Sequence, residues 1–303
     1  MPASDKLLPR ISEMLAGWAK MDPPTQKKLP VEADVPEFLS QVGCNCKAHP
    51  LTKAVRDLAL IGFYYLLCIG EYTVKRTHNK SKQTVQFKLE DCTFFEKNAM
   101  GQLRQLSGNA SDARIMAASS ATLKLDNQKN GWKGVCVNQE ANGEDIHCGV
   151  RAIGRRYCYI RSRTKNMKTN LSAYWDNKKR CEVNDEDMRR NIKWAAEQLD
   201  YPGTKGIPIE LIDTHSLRCG GANALALSGY SDTQIMKMGR WRGVTFREYI
   251  REQLASYSEG MSKNMKRKFN FANVAAGAHS DIVDVTSAVL VTEFNTAAAA
   301  ATA

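Results

Sequence analysis

The longest apolar run in the chain fixes where its core must lie. Residues 51–73 read LTKAVRDLALIGFYYLLCIGEYT, and the thirteen residues from Leu58 to Gly70 carry no charge. Such a run is too short to cross a bilayer, which takes about 20 apolar residues. It predicts a buried helix with the rest of a globular body built around it, and no membrane partner.

The other segments can be ordered around that helix. Residues 1–50 read as a short helix over 11–20 and then a proline-punctuated linker, MDPPTQKKLPVEADVPEF, whose prolines favour extended backbone. Strands are expected over 83–95 and 114–125. Residues 121–137, with Asn130-Gly131, predict a β-hairpin, because both turn residues need positive φ. Lys129 then stands beside the hairpin tip. Helices are expected over 148–163, over 185–199 with Asn184 as N-cap, from Thr214 to about Ser228 with Gly229 ending it, over the Ser231-capped DTQIMKM stopped at Gly239, and over 243–258. After Phe271 the composition turns small and alanine-rich, with one possible strand or helix near 281–292. The expected organisation is an arm and linker over 1–50, one α+β domain over 51–272, mainly helical with a small antiparallel sheet, and a tail over 273–303.

Charge narrows the partner. The chain has 43 Lys and Arg against 32 Asp and Glu, a net +11 and an isoelectric point near 9.2. That balance points to a polyanion, nucleic acid before an anionic membrane surface. The excess is concentrated between Gly149 and Arg180, where ten basic residues face a single acid, Asp176. Arg151, Arg155, Arg156, Arg161, Arg163, Lys165 and Lys168, interleaved with Tyr157, Tyr159, Tyr174 and Trp175, are the expected DNA contacts; the alternative is a solvated helix face. Nine scattered cysteines read as reduced thiols of an intracellular protein rather than a disulfide framework. Cys44, Cys46 and His49 are donors of the zinc type, but C-x-C has no matching second half, so no metal and no cofactor is expected.

Chemistry concentrates in residues 211–260. His215 and Arg218 stand three apart, on one face of a helix turn. Arg240 and Trp241 follow, and Tyr249 lies thirty-one residues after Arg218. Taken singly, each has an ordinary reading: a core tyrosine, a structural histidine, a salt-bridge arginine. Together, phosphate-clamping cations followed by a tyrosine hydroxyl are what a phosphotyrosine mechanism requires. A helix-turn-helix reading of 219–241 competes, but its second helix, TQIMKMG, has few polar groups for base edges.

T-H-S-L-R-C-G-G-A at 214–222, M-G-R-W at 238–241 and F-R-E-Y-I at 246–250 resemble the C-terminal boxes of the tyrosine recombinase (phage integrase) superfamily. G-F-Y-Y-L-L-C-I-G-E-Y-T at 62–73, with Glu71, resembles the first catalytic box of its eukaryotic transposon-encoded, Crypton-type branch. The likeness spans roughly residues 25–272. It implies a mainly helical catalytic core with a small antiparallel sheet, acting on double-stranded DNA without metal or ATP. It further implies Tyr249 as nucleophile, Arg218 as a phosphate clamp, His215 as the acid/base or hydrogen-bonding group, and Lys129 as general acid, with Lys124 and Lys133 close by in sequence as alternatives. Arg240 stands where many members carry His or Trp, with Trp241 adjacent. Assembly on DNA as a homo-oligomer, often a tetramer, follows from the same precedent. A type IB topoisomerase would share the tyrosine chemistry, but the flanking boxes look less like that group.

Two departures stand out. The first arginine of the family should stand three residues before Glu71, where this chain has Cys68. A thiol supplies neither a fixed charge nor a two-pronged fork; the expected role of Cys68 is a small apolar core residue, and the expected activity is impaired. The second is that only a short arm precedes the catalytic part, as in a truncated or partial gene product. A non-cleaving DNA-binding protein derived from a transposon recombinase is the alternative function. The basic run KNMKRK at 263–268 suggests a nuclear location.

Overall fold

A computed structural model describes residues 28–74, 84–126, 134–241, 243 and 247. The fold is α+β, with nine α-helices among the described residues, one four-stranded and one two-stranded antiparallel sheet. The chain divides into two compact units, Met1–Gly220 and Gly221–Ala303.

In the first unit the described end of the proline-punctuated stretch is helical. It carries helix α1, Asp34–Cys44, with Pro36 in its first turn, where a missing N–H is tolerated. Val35, Leu39 and Gly43 are buried, and α1 packs on α2, Pro50–Tyr64. Just before α1, the Leu29 N–H donates to Leu211 O (2.8 Å) and the Val31 N–H to Ser216 O (3.2 Å). These two backbone bonds sew the arm to the body.

Helix α2 starts at a cap built from His49, whose Nδ1 accepts the Leu51 N–H, with Pro50 in the first turn. The expected single helix over 51–73 breaks at residues 65–68, where Leu66 takes φ +49°, and resumes as α3, Ile69–Tyr72. Tyr65 and Leu66 stay fully buried, so this part of the apolar run is core as predicted, but the backbone turns inside the run and leaves Cys68 exposed.

The larger sheet has order β2-β1-β3-β4, from β1 (Cys92–Lys97), β2 (Leu103–Gln105), β3 (Ser120–Lys124) and β4 (Cys136–Glu140). Both predicted strands begin later than expected: a 3-10 turn at Leu89–Asp91 precedes β1, and helix α4, Asp112–Met116, precedes β3. Strands β3 and β4 pair in the register Ser120↔Glu140 to Lys124↔Cys136, so the arms of the expected hairpin are present. Its Asn130-Gly131 turn lies outside the described residues. The Tyr65 hydroxyl donates to Ala121 O (2.9 Å), pinning the end of the core helix to the sheet.

Next come α5 (Gly149–Arg161), a hairpin of β5 (Ala173–Asp176) and β6 (Lys179–Glu182), α6 (Asp185–Gln198) and the short α7 (Tyr201–Lys205). Asn184 caps α6 as expected, its Oδ1 accepting the Asp187 N–H at 2.8 Å. Helix α8, His215–Leu227, begins in this unit. Gly220 on it is required: a Cβ there would stand 1.8 Å from Val31 O.

In the second unit α8 ends at Gly229, φ +82°, with Tyr230 N–H bonding Leu225 O and Gly229 N–H bonding Ala226 O. That is a Schellman ending with glycine at its left-handed position. Helix α9, Asp232–Gly239, has its Ser231 cap bonded to the Gln234 N–H. Ala222 and Ile235 form the small core, with Leu225, Met236 and Trp241 packed on it.

Candidate functional site

The site in the first unit follows from the break in the core helix. Left-handed backbone at Leu66 turns its carbonyl out of the α2 ladder. The Arg218 Nη1 donates to that carbonyl at 2.7 Å and to Cys68 Sγ at 3.1 Å. Arg218 is only 5% exposed. The guanidinium is thereby fixed by a segment 150 residues away in the sequence, and it belongs to the box that the sequence ties to phosphate binding. Glu71 supports the same segment: its buried carboxylate accepts the Cys68 N–H at 3.0 Å and holds the start of α3. Gly62 clears space below, since a Cβ there would lie 2.8 Å from the Tyr72 Oη.

Cys68 is not a core residue. It is exposed, and its thiol lies against the Arg218 guanidinium. The apolar run on either side suggested burial, but the reversal at 65–68 carries residue 68 out to the surface. The neighbouring thiol behaves differently: burial pushes Cys219 up to about 12, with Arg218 opposing, so it stays protonated.

His215 opens α8 one turn before Arg218. Burial pushes its pKa below the ordinary histidine value, the Arg218 cation adds to the fall, and Asp213 opposes it. The imidazole is therefore held neutral at neutral pH, able to accept a proton. Asp213 organises this helix start: the Thr214 N–H donates to its Oδ1 (2.6 Å), Arg189 Nε donates to the same atom (3.1 Å), and its own N–H donates to Ser216 Oγ (3.0 Å). Burial raises the Asp213 pKa, but the Thr214 and Arg189 hydrogen bonds outweigh it and leave the carboxyl below its usual range. Sequence reading missed Asp213 and Arg189; the D-T-H-S order before the helix is the signal that marks Asp213.

Arg240 and Trp241 are placed by a tight ending of α9 in the second unit. The Trp241 N–H bonds Met236 O (3.0 Å) and the Arg240 N–H bonds Lys237 O (3.3 Å), a second Schellman pattern. Here the left-handed residue is Arg240, φ +58° and ψ +36°, one residue after Gly239. Arg240 lacks the conformational freedom of a glycine, so this backbone costs about 1–2 kcal/mol. Gly239 serves packing instead: a Cβ on it would stand 1.6 Å from the Trp241 ring. Arg240 is 6% exposed, and its Nη1 donates to Met238 O at 3.3 Å. Arg247, two residues before Tyr249, donates from Nε to Asp232 Oδ2 at 2.7 Å. Tyr249 and Lys129 lie outside the described residues.

The basic segment divides into structural and surface residues. Arg156 is 2% exposed and donates to the carbonyls of Leu171 and Ala173; burial pulls its pKa down to about 10. Arg151 donates to Ala118 O, Arg155 to Asp57 and to the carbonyls of Asp145 and Ile146, and Arg161 to Asp112 and the carbonyls of Gly108 and Ala110. These four tie α5 to its neighbours. Arg163, Lys165 and Lys168 are exposed. Periodicity alone could not sort them, because a guanidinium that feeds carbonyls and one that meets solvent look alike in sequence.

Among the described residues no group of metal-ligating side chains is assembled, and no helix is long and apolar enough to cross a membrane. Cys44 and Cys46 are exposed free thiols, and the His49 Nδ1 is used in capping α2.

No family model matches the chain, and no curated protein matches it. Solved structures similar to it include the Tn1549 transposon integrase in complex with transposon right end DNA, at 12% identity over 81% of this chain and 69% of that one, TM-score 0.41. XerA recombinase is similar at 14% identity over 82% and 67%, TM-score 0.46. The XerH site-specific recombinase bound to its difH substrate is similar at 16% identity over 80% and 56%, TM-score 0.42.

Proposed function

We propose that this chain is the DNA strand-cleaving and rejoining domain of a tyrosine recombinase of the eukaryotic transposon-encoded, Crypton-like kind, weakened by Cys68. One observation carries the reading: the Arg218 guanidinium, from the second sequence box, is buried against Leu66 O and Cys68 Sγ of the first. Two boxes that are separate in the sequence meet at the residue that would clamp the phosphate.

In the proposed reaction the Tyr249 hydroxyl attacks a DNA phosphorus, and its proton passes to the neutral His215 imidazole. The bond to the 5′ oxygen breaks, leaving a 3′-phosphotyrosine, and Lys129 protonates the departing 5′ oxygen. Arg218 and Arg240 offset the added negative charge on the non-bridging oxygens. Attack by a 5′-OH on the phosphotyrosine reverses the steps and rejoins the strand. Duplex DNA is held electrostatically by exposed cations including Arg163, Lys165 and Lys168. Assembly on DNA as a homo-oligomer, a tetramer by family precedent, and a nuclear location from KNMKRK complete the proposal.

Cys68 favours a second reading, a DNA-binding protein that no longer cleaves. Losing one transition-state donor costs about 10²–10³ in rate. A nicked suicide DNA substrate separates the two. Wild type should give little or no denaturant-resistant adduct, Cys68→Arg should give one, and the adduct should vanish in Cys68→Arg/Tyr249→Phe. Adduct in neither chain, with duplex binding intact, would leave only the binding reading standing.

A further inference from the structure

The strand pair β5–β6 and the end of α5 carry none of the residues assigned to cleavage, yet they build a cationic aromatic face of their own. The hairpin turns on Asn177 and Lys178, both at positive φ (+46° and +69°), so a lysine is held at the tip in backbone it adopts uncommonly. Trp175 pairs with Arg180 across the hairpin, which puts both side chains on one face. The Trp175 N–H donates to the Tyr159 hydroxyl (3.1 Å), docking the hairpin on α5, and the two rings meet edge to face at 6.1 Å. Arg163 lies over the Tyr159 ring at 5.6 Å and Arg156 at 5.2 Å, so that ring is already covered. Trp175 is the half-buried ring that remains. The acids here are engaged: Asp176 with His49 at 3.6 Å, and Glu182 with Arg180 at 2.6 Å. Arg180 across from Trp175, Arg163 over the Tyr159 ring that meets Trp175, and Lys178 at the hairpin tip are all exposed.

We propose that this face binds single-stranded DNA, with a base stacked on Trp175 and backbone phosphates on Arg163, Lys178 and Arg180. An indole between cations fits a strand whose bases are unpaired, because a duplex buries its base faces. The choice of DNA over RNA rests on the strand-cleavage reading, since stacking and phosphate contacts do not distinguish the two. The face would hold a strand displaced or melted beside the cleavage site.

The full chain, titrated by fluorescence anisotropy with a labelled oligodeoxythymidine of about twenty nucleotides, tests it. Trp175→Ala should weaken single-strand binding roughly ten-fold while duplex binding changes less than about two-fold, and Trp175→Tyr should restore most of the affinity. Arg163→Ala and Lys178→Ala should each flatten the salt dependence, by about 0.7 in log–log slope for each phosphate no longer neutralised. Equal weakening of single strand and duplex in Trp175→Ala, wild-type single-strand affinity in that variant, a Tyr substitute no better than Ala, or tighter binding of the matching oligouridine would each overturn the proposal. Absence of a Tyr249 adduct in Cys68→Arg while Trp175-dependent strand binding persists would sink the cleavage reading and leave this face standing.

Discussion

The thiol of Cys68 lies 3.1 Å from the Arg218 Nη1, at the position where the resembled family would set a second guanidinium. An arginine at 68 would therefore face Arg218 at short range. Like charges about 4 Å apart repel by roughly 1–4 kcal/mol between bulk water and a protein surface. Because residue 68 is exposed, solvent reduces this, and Cys68→Arg should lower the melting midpoint by about 2 °C without DNA. Bound duplex supplies the missing anion, so the deficit should disappear in its presence. Differential scanning fluorimetry with and without DNA measures both; an unchanged midpoint in free protein would mean the two groups do not meet.

The seven basic residues expected to contact DNA should fall into two classes when each is replaced. Arg156→Met removes buried donors from two carbonyls and should cost at least about 2 kcal/mol in urea unfolding. Lys165→Ala and Lys168→Ala should leave stability within about 0.5 kcal/mol. They should instead reduce the salt slope of duplex binding by about one each. A destabilised Lys165→Ala, or a fully stable Arg156→Met, would reverse the sorting.

Much of the architecture could be read from sequence where local chemistry and tertiary need agree. Asn184 and Ser231 cap their helices, Gly229 closes α8, and residues 58–63 and 65–67 are core, because caps, left-handed glycines and apolar runs act through nearest neighbours. What failed depended on distant partners. The break at Leu66 breaks no local rule of composition; its carbonyl is turned toward Arg218, 152 residues on. Arg240 adopts the backbone that a glycine would normally supply, and Asn177-Lys178 makes a hairpin without the Asn-Gly signal. Helix α1 was hidden by its prolines, although Pro36 sits where a helix accepts one. In the site, residue types and spacing singled out His215 and Arg218 as candidates, whereas the exposure of Cys68 and the hydrogen bonds of Asp213 emerged only from the packing.

Gly220 should tolerate no side chain. An added Cβ would stand 1.8 Å from Val31 O, and the extended segment at 29–31 is held to Leu211 and Ser216 by backbone hydrogen bonds. Gly220→Ala should therefore cost about 1–3 kcal/mol, despite the better helix propensity of alanine. Equilibrium denaturation gives the number. Stability equal to or above wild type would show that the arm is not seated on α8.

Acid should weaken the fold through His215, and the sign follows from its surroundings. Burial first, and Arg218 second, lower its pKa in the folded chain below the unfolded value near 6.5. The unfolded chain then binds more protons between the two values, so stability rises with pH across that window. The contribution is complete above about 6.5 and is lost as pH falls through the folded pKa. His215→Gln removes the titration and should flatten stability against pH over that window, while Asp213, also held low by Thr214 and Arg189, still titrates further into acid. Urea midpoints measured for both chains between about pH 5 and 7.5 decide it. Parallel curves would mean that folding leaves the titration of the imidazole unchanged.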